Sequence, residues 1–145
     1  MTVSRIYLDA NVFLHAALQP PSSGIAQQAC RVLNRAADGS FDAVTSALTW
    51  DEVVWNARHA LGIDAANKAG RIMLAMPGVT LAPASAQVLG EAQKIAENTG
   101  LKPRDAIHAA TALLAACDII VSDDSDFDAF KRIKRISVEK AAGLR

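Results

Sequence analysis

The sequence predicts an α/β domain on a mostly parallel sheet, and two features carry that prediction. Short apolar runs of the kind buried parallel strands use alternate with longer stretches of helical periodicity. Glycine and proline sit at the joins, where helices are expected to stop and start. Taken in order, Ile6-Tyr7-Leu8 is the first strand. Pro20-Pro21-Ser22-Ser23-Gly24 reads as a loop between two helices rather than a domain boundary. Residues 24–38 carry Ile25, Ala29, Val32, Leu33 and Ala36 at helical spacing, with Gly39 at the C-cap. Ala43-Val44-Thr45 and Val79-Thr80-Leu81 are weaker strands, and Glu52 lies early in the helix that follows the first of them. Residues 84–99 place Val88, Ala92, Ile95 and Ala96 on one face and close at Gly100. Pro103 opens a further helix whose predicted apolar face is Ile107, Ala110, Thr111 and Leu114. Ile119-Ile120-Val121 is the next strand, and residues 136–138 predict a fifth. There is no internal repeat and no Gly-, Ser- or Pro-rich linker, so residues 1–145 are expected to form a single domain.

Composition narrows the function classes. Half the chain is hydrophobic (51%) and 21% is charged, enough for one core and unlike a disordered segment. Fifteen Lys and Arg balance fifteen Asp and Glu, so any nucleic-acid surface must come from local segregation of charge. Cys30 and Cys117 lie in apolar helical patterns with no metal-ligand spacing, which predicts buried free thiols in a reducing compartment. Met-Thr-Val-Ser-Arg at the start lacks a signal peptide's apolar run, and no stretch approaches membrane-spanning length. The expectation is a soluble cytoplasmic protein with no membrane partner. No G-x-G-x-x-G and no P-loop is present, which disfavours nucleotide-cofactor roles.

The informative feature is where the acids fall. Asp9 directly follows the first strand, and Asp123, Asp124 and Asp126 follow Ile119-Ile120-Val121 in the same way. Ligands of open parallel sheets bind outside the carboxyl ends of the strands, so both groups face one edge. Glu52 and Asp105 begin helices that can face that edge too. Crowded carboxylates repel and raise one another's pKa, and a divalent cation removes that penalty. An acid-only set without His or Cys ligands suits Mg²⁺ or Mn²⁺ better than Zn²⁺. Such sites serve phosphoryl chemistry. Each acid also has a structural reading: Asp9 ends a strand, Thr49 to Glu52 fits a capping box, Asp105 complements a helix dipole, and residues 123–128 form an acidic turn. The joint arrangement favours the chemical reading.

At these positions the chain resembles the PIN-domain ribonucleases. Leu8-Asp9-Ala10-Asn11-Val12-Phe13-Leu14 resembles their opening motif, and Leu101 to Ala112, with Asp105-Ala106 opening an Ala-rich helix, resembles their second. Ile120-Val121-Ser122-Asp123-Asp124-Ser125-Asp126-Phe127 is similar to their third, a Thr/Ser-x-Asp-x-Asp-Phe turn, with Ser standing where Thr is more usual. Thr45-Ser46 followed by Glu52 resembles the remaining acidic position. The resemblance implies a three-layer fold with a central, mostly parallel sheet of four to five strands flanked by helices. It implies a Mg²⁺- or Mn²⁺-dependent endoribonuclease, most like a VapC-type toxin of a toxin–antitoxin pair, that hydrolyses RNA with metal-activated water. The implied catalytic set is Asp9, Glu52, Asp105 and Asp124. Metal ligands would be Asp9, Asp105 and Asp124, with Asp126 an alternative to Asp124 and Glu52 a possible addition. Asn11 and Ser122 match supporting positions. A homodimer and an antitoxin partner that places an Arg or Lys in the acidic cleft follow by resemblance alone.

Around this set, Lys102 and Arg104 flank Asp105 and are the candidate contacts to the RNA backbone. The run Lys131, Arg132, Lys134 and Arg135 reads as a solvated helix face. His108, one turn from Asp105, is assigned a packed or supporting role, and Trp50 and Trp55 a packing role in a core or interface. A haloacid-dehalogenase-type phosphatase is disfavoured because Asn11 stands where that chemistry wants a second Asp. A housekeeping RNA-processing nuclease and a non-catalytic RNA- or partner-binding module remain the alternatives.

Overall fold

The structure is a computed structural model, and it describes residues 4–144. Met1–Val3, the start of the segment read as lacking a leader, and Arg145 lie outside the described residues. The elements are β1 (Arg5–Leu8), α1 (Ala10–Leu18), α2 (Gly24–Ala37), β2 (Asp42–Ser46), α3 (Ala47–Leu61), α4 (Ile63–Ala75) and β3 (Val79–Ala82). They continue with α5 (Ala86–Thr99), α6 (Pro103–Leu114), β4 (Ile119–Val121), a 3-10 helix (Ser125–Ala129), β5 (Lys134–Ile136) and α7 (Val138–Ala142).

The strands form one parallel sheet in the order β3-β2-β1-β4-β5. β1 is central, with Tyr7 opposite Val44 on one side and Ile120 on the other. Successive side chains of a strand point to opposite faces, which is why adjacent β1 residues serve different cores. Ile6 and Leu8 join Val12, Phe13, Val32, Val53, Met73 and Val138, the layer built from α1 to α4 and α7. Tyr7 joins Val88, Ile95, Ala106, Ala109 and Ile120, the layer built from α5 and α6. Leu8 is fully buried, so Leu8→Ala is expected to cost about 2–5 kcal/mol. The strand order reverses between β1 and β4, and such a switch point opens a crevice at the carboxyl edge.

Local signals explain most boundaries. Ser23, Ser46, Ser85 and Ser137 each accept a backbone N–H at the start of α2, α3, α5 and α7. Gly100 closes α5 in the left-handed region, as expected. Gly78 is required on two counts. Its φ is +75°, and a Cβ there would lie 2.0 Å from the Ala36 carbonyl oxygen.

Several expectations are corrected. The fifth strand is Lys134–Ile136 rather than 136–138, because Ser137 caps α7 and draws Val138 into a helix. The buried face of α6 is Ala106, His108, Ala109, Ala110, Thr111 and Ala112, while Leu114 is exposed. Small side chains let α6 approach both α5 and the sheet, so bulk at Leu114 is a poor guide to its inner face, while Ile107 is half-buried against that core. Ile25 is likewise exposed, and Ala26 is buried in its place. Cys30 is exposed rather than buried, because α2 turns Ala29 and not its neighbour toward the sheet, whereas Cys117 is buried as expected. The basic run is not a helix face: Arg135 lies in β5, donates to both Asp128 oxygens at 2.8 and 3.2 Å and to the Ser122 carbonyl at 2.9 Å. α4 carries no counterpart among the sequence expectations. Among the described residues no helix is long and apolar enough to cross a membrane.

Candidate active site

The crevice between β1 and β4 is organised by a single hydroxyl. The Asp9 amide donates to the Val121 carbonyl at 3.0 Å, which ties the two strand ends together. Asp9 stands at the cap position of α1, yet its side chain makes no capping bond and is almost fully buried. Instead it accepts a 2.7 Å hydrogen bond from the Ser122 hydroxyl. The same Ser122 oxygen accepts from the Asn11 amide at 3.1 Å and from the Asp124 backbone N–H at 3.0 Å. Ser122 is fully buried, so its three partners hold the end of β1, the start of α1 and the turn after β4 in one arrangement. Asp124 then caps the 3-10 helix by accepting from the Asp126 N–H at 2.9 Å.

From the other side, Pro103 at the first position of α6 sets Asp105 in its first turn. Asp105, Asp124 and Asp126 each offer an oxygen, and these atoms lie within 4.8 Å of one another. The Asp105 carboxyl is pushed up to about 6, first by burial and then by the like charges of Asp124 and Asp9. Burial also raises Asp9, although His108 and the Ser122 hydroxyl pull it back.

Glu52 reaches the crevice from α3, and it is not a capping residue. α3 begins at Ala47 and is capped by Ser46, so the capping-box reading of Thr49–Glu52 is overturned. Thr49 is buried and bonds Thr45 at 2.7 Å, and Thr45 donates to the Leu8 carbonyl at 2.7 Å, fixing α3 to the end of β1. Glu52 Oε1 lies 2.8 Å from His108 Nε2, and Asp9 Oδ1 lies 3.5 Å from the same nitrogen. On the far side of the ring, His108 Nδ1 meets the Tyr7 hydroxyl at 2.5 Å. Burial alone would lower the imidazole pKa, but the bond to Glu52 and the charge of Asp9 outweigh it and raise it. Burial and Asp9 raise the Tyr7 phenol well above its usual range, so it stays protonated.

Asp9, Glu52, Asp105, Asp124 and Asp126 therefore converge, and Asn11 and Ser122 lie among them. Lys102 stands at the rim, 81% exposed and 4.0 Å from Asp126. Arg104 is exposed on α6. The sequence reading placed His108 in a packed or supporting role, and it is both buried and hydrogen-bonded. Tyr7 enters the sequence reading only as a strand residue, Thr45 only in the Thr45-Ser46 motif and Thr49 only as a cap, so their hydrogen-bonding roles escape it. The available signal was chemical, since a hydroxyl in a buried strand or helix must find a partner.

The donor set suits a hard divalent cation. It is all oxygen, and Asn11 Oδ1 is buried with no hydrogen-bond partner among the described residues. An unpaired buried acceptor is costly, and a water of a hydrated ion would satisfy it.

A sequence profile described as the PIN domain matches residues 6–133. No curated protein matches the chain by sequence. Among solved structures, DNA-bound VapBC from Salmonella typhimurium is similar at 14% identity, covering 93% of this chain and 98% of that chain with a TM-score of 0.72. The sarcin-ricin-loop-cleaving toxin VapC20 of Mycobacterium tuberculosis is similar at 16% identity, covering 87% and 95%, with a TM-score of 0.70. FitAcB from Neisseria gonorrhoeae is similar at 20% identity, covering 92% and 97%, with a TM-score of 0.69. Matched by that profile over residues 6–133 and similar in fold to these structures over most of its length, the chain belongs to the PIN domain family.

Proposed function

We propose that the chain is a single-domain, Mg²⁺- or Mn²⁺-dependent endoribonuclease, the toxin of a type II toxin–antitoxin pair. The observation that carries the reading is the convergence of Asp105, Asp124 and Asp126 within 4.8 Å, with Asp9 and Glu52 behind them. When bound there, the ion supplies a Lewis acid for phosphate oxygen and lowers the pKa of water. The chain's own residues do the rest. Asp9, Asp105 and Asp124 or Asp126 supply the ligand oxygens. Ser122 and Asn11 keep Asp9 and the Asp124 turn in register. Glu52 stands at the back of the cluster as the acceptor for a proton leaving water. Lys102 and Arg104, both exposed beside Asp105, face the RNA backbone.

The antitoxin has a place to dock. Phe13, Leu33, Val53, Leu61, Ile72 and Met73 line an apolar cleft of ≈ 480 Å³ between α1, α2, α3 and α4. Leu61 and Ile72 are 61% and 50% exposed, so the cleft opens to an apolar rim that a partner's apolar segment would cover. That reading draws support from the neighbours, several of which are toxin–antitoxin complexes. A homodimer is proposed on the α5–α6 face, where Leu89 and Leu114 are exposed.

The test is calorimetric titration of Mn²⁺ into the metal-free chain, followed by RNA cleavage. Binding that Asp9→Asn and Asp105→Asn both lose, with Mn²⁺-dependent release of 5′-phosphate ends, is the expected result. A folded wild type that neither binds Mn²⁺ nor cuts RNA would sink the proposal in favour of a binding module.

A further inference from the structure

His108 is a buried titratable group that joins two acids of the cleft, Asp9 after β1 and Glu52 on α3. Its side chain is 1% exposed. Nε2 faces two carboxylate oxygens, Glu52 Oε1 at 2.8 Å and Asp9 Oδ1 at 3.5 Å. An ionised carboxylate only accepts, so facing one Nε2 carries a proton in either charge state of the ring. Nδ1 meets the Tyr7 hydroxyl at 2.5 Å, and Tyr7 is fully buried in the central strand. In the neutral ring the phenol donates to Nδ1, and in the charged ring Nδ1–H donates to the phenol oxygen. Either way Tyr7 fixes the ring plane, and the ring plane fixes Nε2–H against the two acids.

We infer that His108 is a positioning residue for the metal centre, with Tyr7 as its anchor. The inference rests on the metal-nuclease reading above and adds a division of labour to it. His108 ties Glu52 through its shorter bond and leaves it beside the cation as a proton acceptor rather than a ligand. The same ring turns Asp9, whose other oxygen is held by Ser122 at 2.7 Å, toward Asp105 and Asp124. Hydrogen-bonding partners of this kind orient ligating carboxylates, and their loss costs about 10–100-fold in metal affinity. The chain is thus built so that neither Asp9 nor Glu52 relies on the cation alone for its orientation.

Three variants and two readouts test this. Gln at 108 carries its amide nitrogen where Nε2 lies, whereas Asn reaches only as far as Nδ1. His108→Asn is expected to weaken Mn²⁺ binding by about 10-fold or more, and His108→Gln to recover most of that loss. Tyr7→Phe, which frees the ring but keeps the Nε2–H, is expected to weaken binding by a smaller factor. Thermal melts establish that each variant is folded. Wild-type affinity in folded His108→Asn, or an equal loss in His108→Gln, would overturn the inference, the latter by making the effect one of packing. The second readout is independent of metal. In ¹⁵N-histidine-labelled, metal-free protein, Nε2 should carry a proton protected from solvent exchange, and Glu52→Gln should shift it. A neutral ring protonated on Nδ1 alone would overturn the inference even if no variant folded. Failure of the wild type to bind Mn²⁺ would instead strike the metal reading itself, with the NMR result still deciding whether His108 orients the acids.

Discussion

Asp9 and Glu52 lie in one half of the cleft, Asp105, Asp124 and Asp126 in the other, and the two halves manage their charge by different means. In the first, protein groups do it: the Ser122 hydroxyl at 2.7 Å from Asp9 and His108 Nε2 at 2.8 Å from Glu52. In the second, the only basic side chain within 4.0 Å among the described residues is the largely exposed Lys102 on Asp126. A surface pair of that kind is worth little, about 0–1 kcal/mol. The first half is a preorganised wall and the second an unfinished one, so the second is where added positive charge gains most. The apolar cleft between α1 and α4 is unfinished in the same sense, since its rim leaves Leu61 and Ile72 exposed.

The largest effect expected from breaking this contrast is at Asp105. Asp105→Asn should reduce cleavage by about 1,000-fold or more, on the scale of losing a group that stabilises the transition state. The same substitution should stabilise the metal-free protein. The sign follows from the raised pKa of about 6: between the unfolded value and 6 the folded state binds more protons, so stability falls as pH rises through that window. Removing the charge removes the penalty, by about 1 kcal/mol once the partial exposure of Asp105 is discounted. A metal-free melt at neutral pH checks it, and a lower melting temperature for the variant would contradict the contrast.

Next in size is Asp9→Asn. It should also remove Mn²⁺ binding, but with a smaller change in the metal-free melt, because disturbing its contacts to Ser122 and His108 opposes the relief of a charge that burial disfavours. Glu52→Gln should act less on metal than on chemistry, lowering cleavage by about 10–100-fold while calorimetry shows Mn²⁺ affinity within a factor of a few. An equal loss of affinity in both variants would erase the distinction between Asp9 as a ligand and Glu52 as a proton acceptor. A pH titration sharpens it further. Metal must displace the Asp105 proton, so Mn²⁺ affinity should be flat above pH 7 and fall by about tenfold per unit well below 6. Smallest of all is Lys102→Ala, expected to raise KM about two- to fivefold and shallow its salt dependence with kcat nearly unchanged, as loss of one phosphate contact predicts.

Much of this is legible in the sequence. β1 and β4 are short apolar runs each followed directly by acids, so both the parallel sheet and the site's edge could be read from them. Gly100 and Pro103 bracket the turn that delivers Asp105. What failed shares one cause, which is that side-chain bulk or local spacing stood in for packing. Helical spacing places Leu114 and Ile25 inwards, but nearby alanines such as Ala112 and Ala26 take the interior. Thr49–Glu52 has the spacing of a cap, but Ser46 starts the helix one turn earlier and leaves Glu52 facing the cleft. Arg135 read as a solvated charge, and β5 pairing turns it onto Asp128 and the Ser122 carbonyl.

The sequence alone determined the fold class and the edge at which the acids gather, because these depend on order along the chain. Strand polarity puts every residue after a parallel strand at the same edge, whatever the packing. Only the tertiary structure decided which acids meet bare and which are already held. That depends on Tyr7, His108 and Glu52, drawn from a strand and two helices far apart in sequence, meeting within hydrogen-bond range across the end of the sheet.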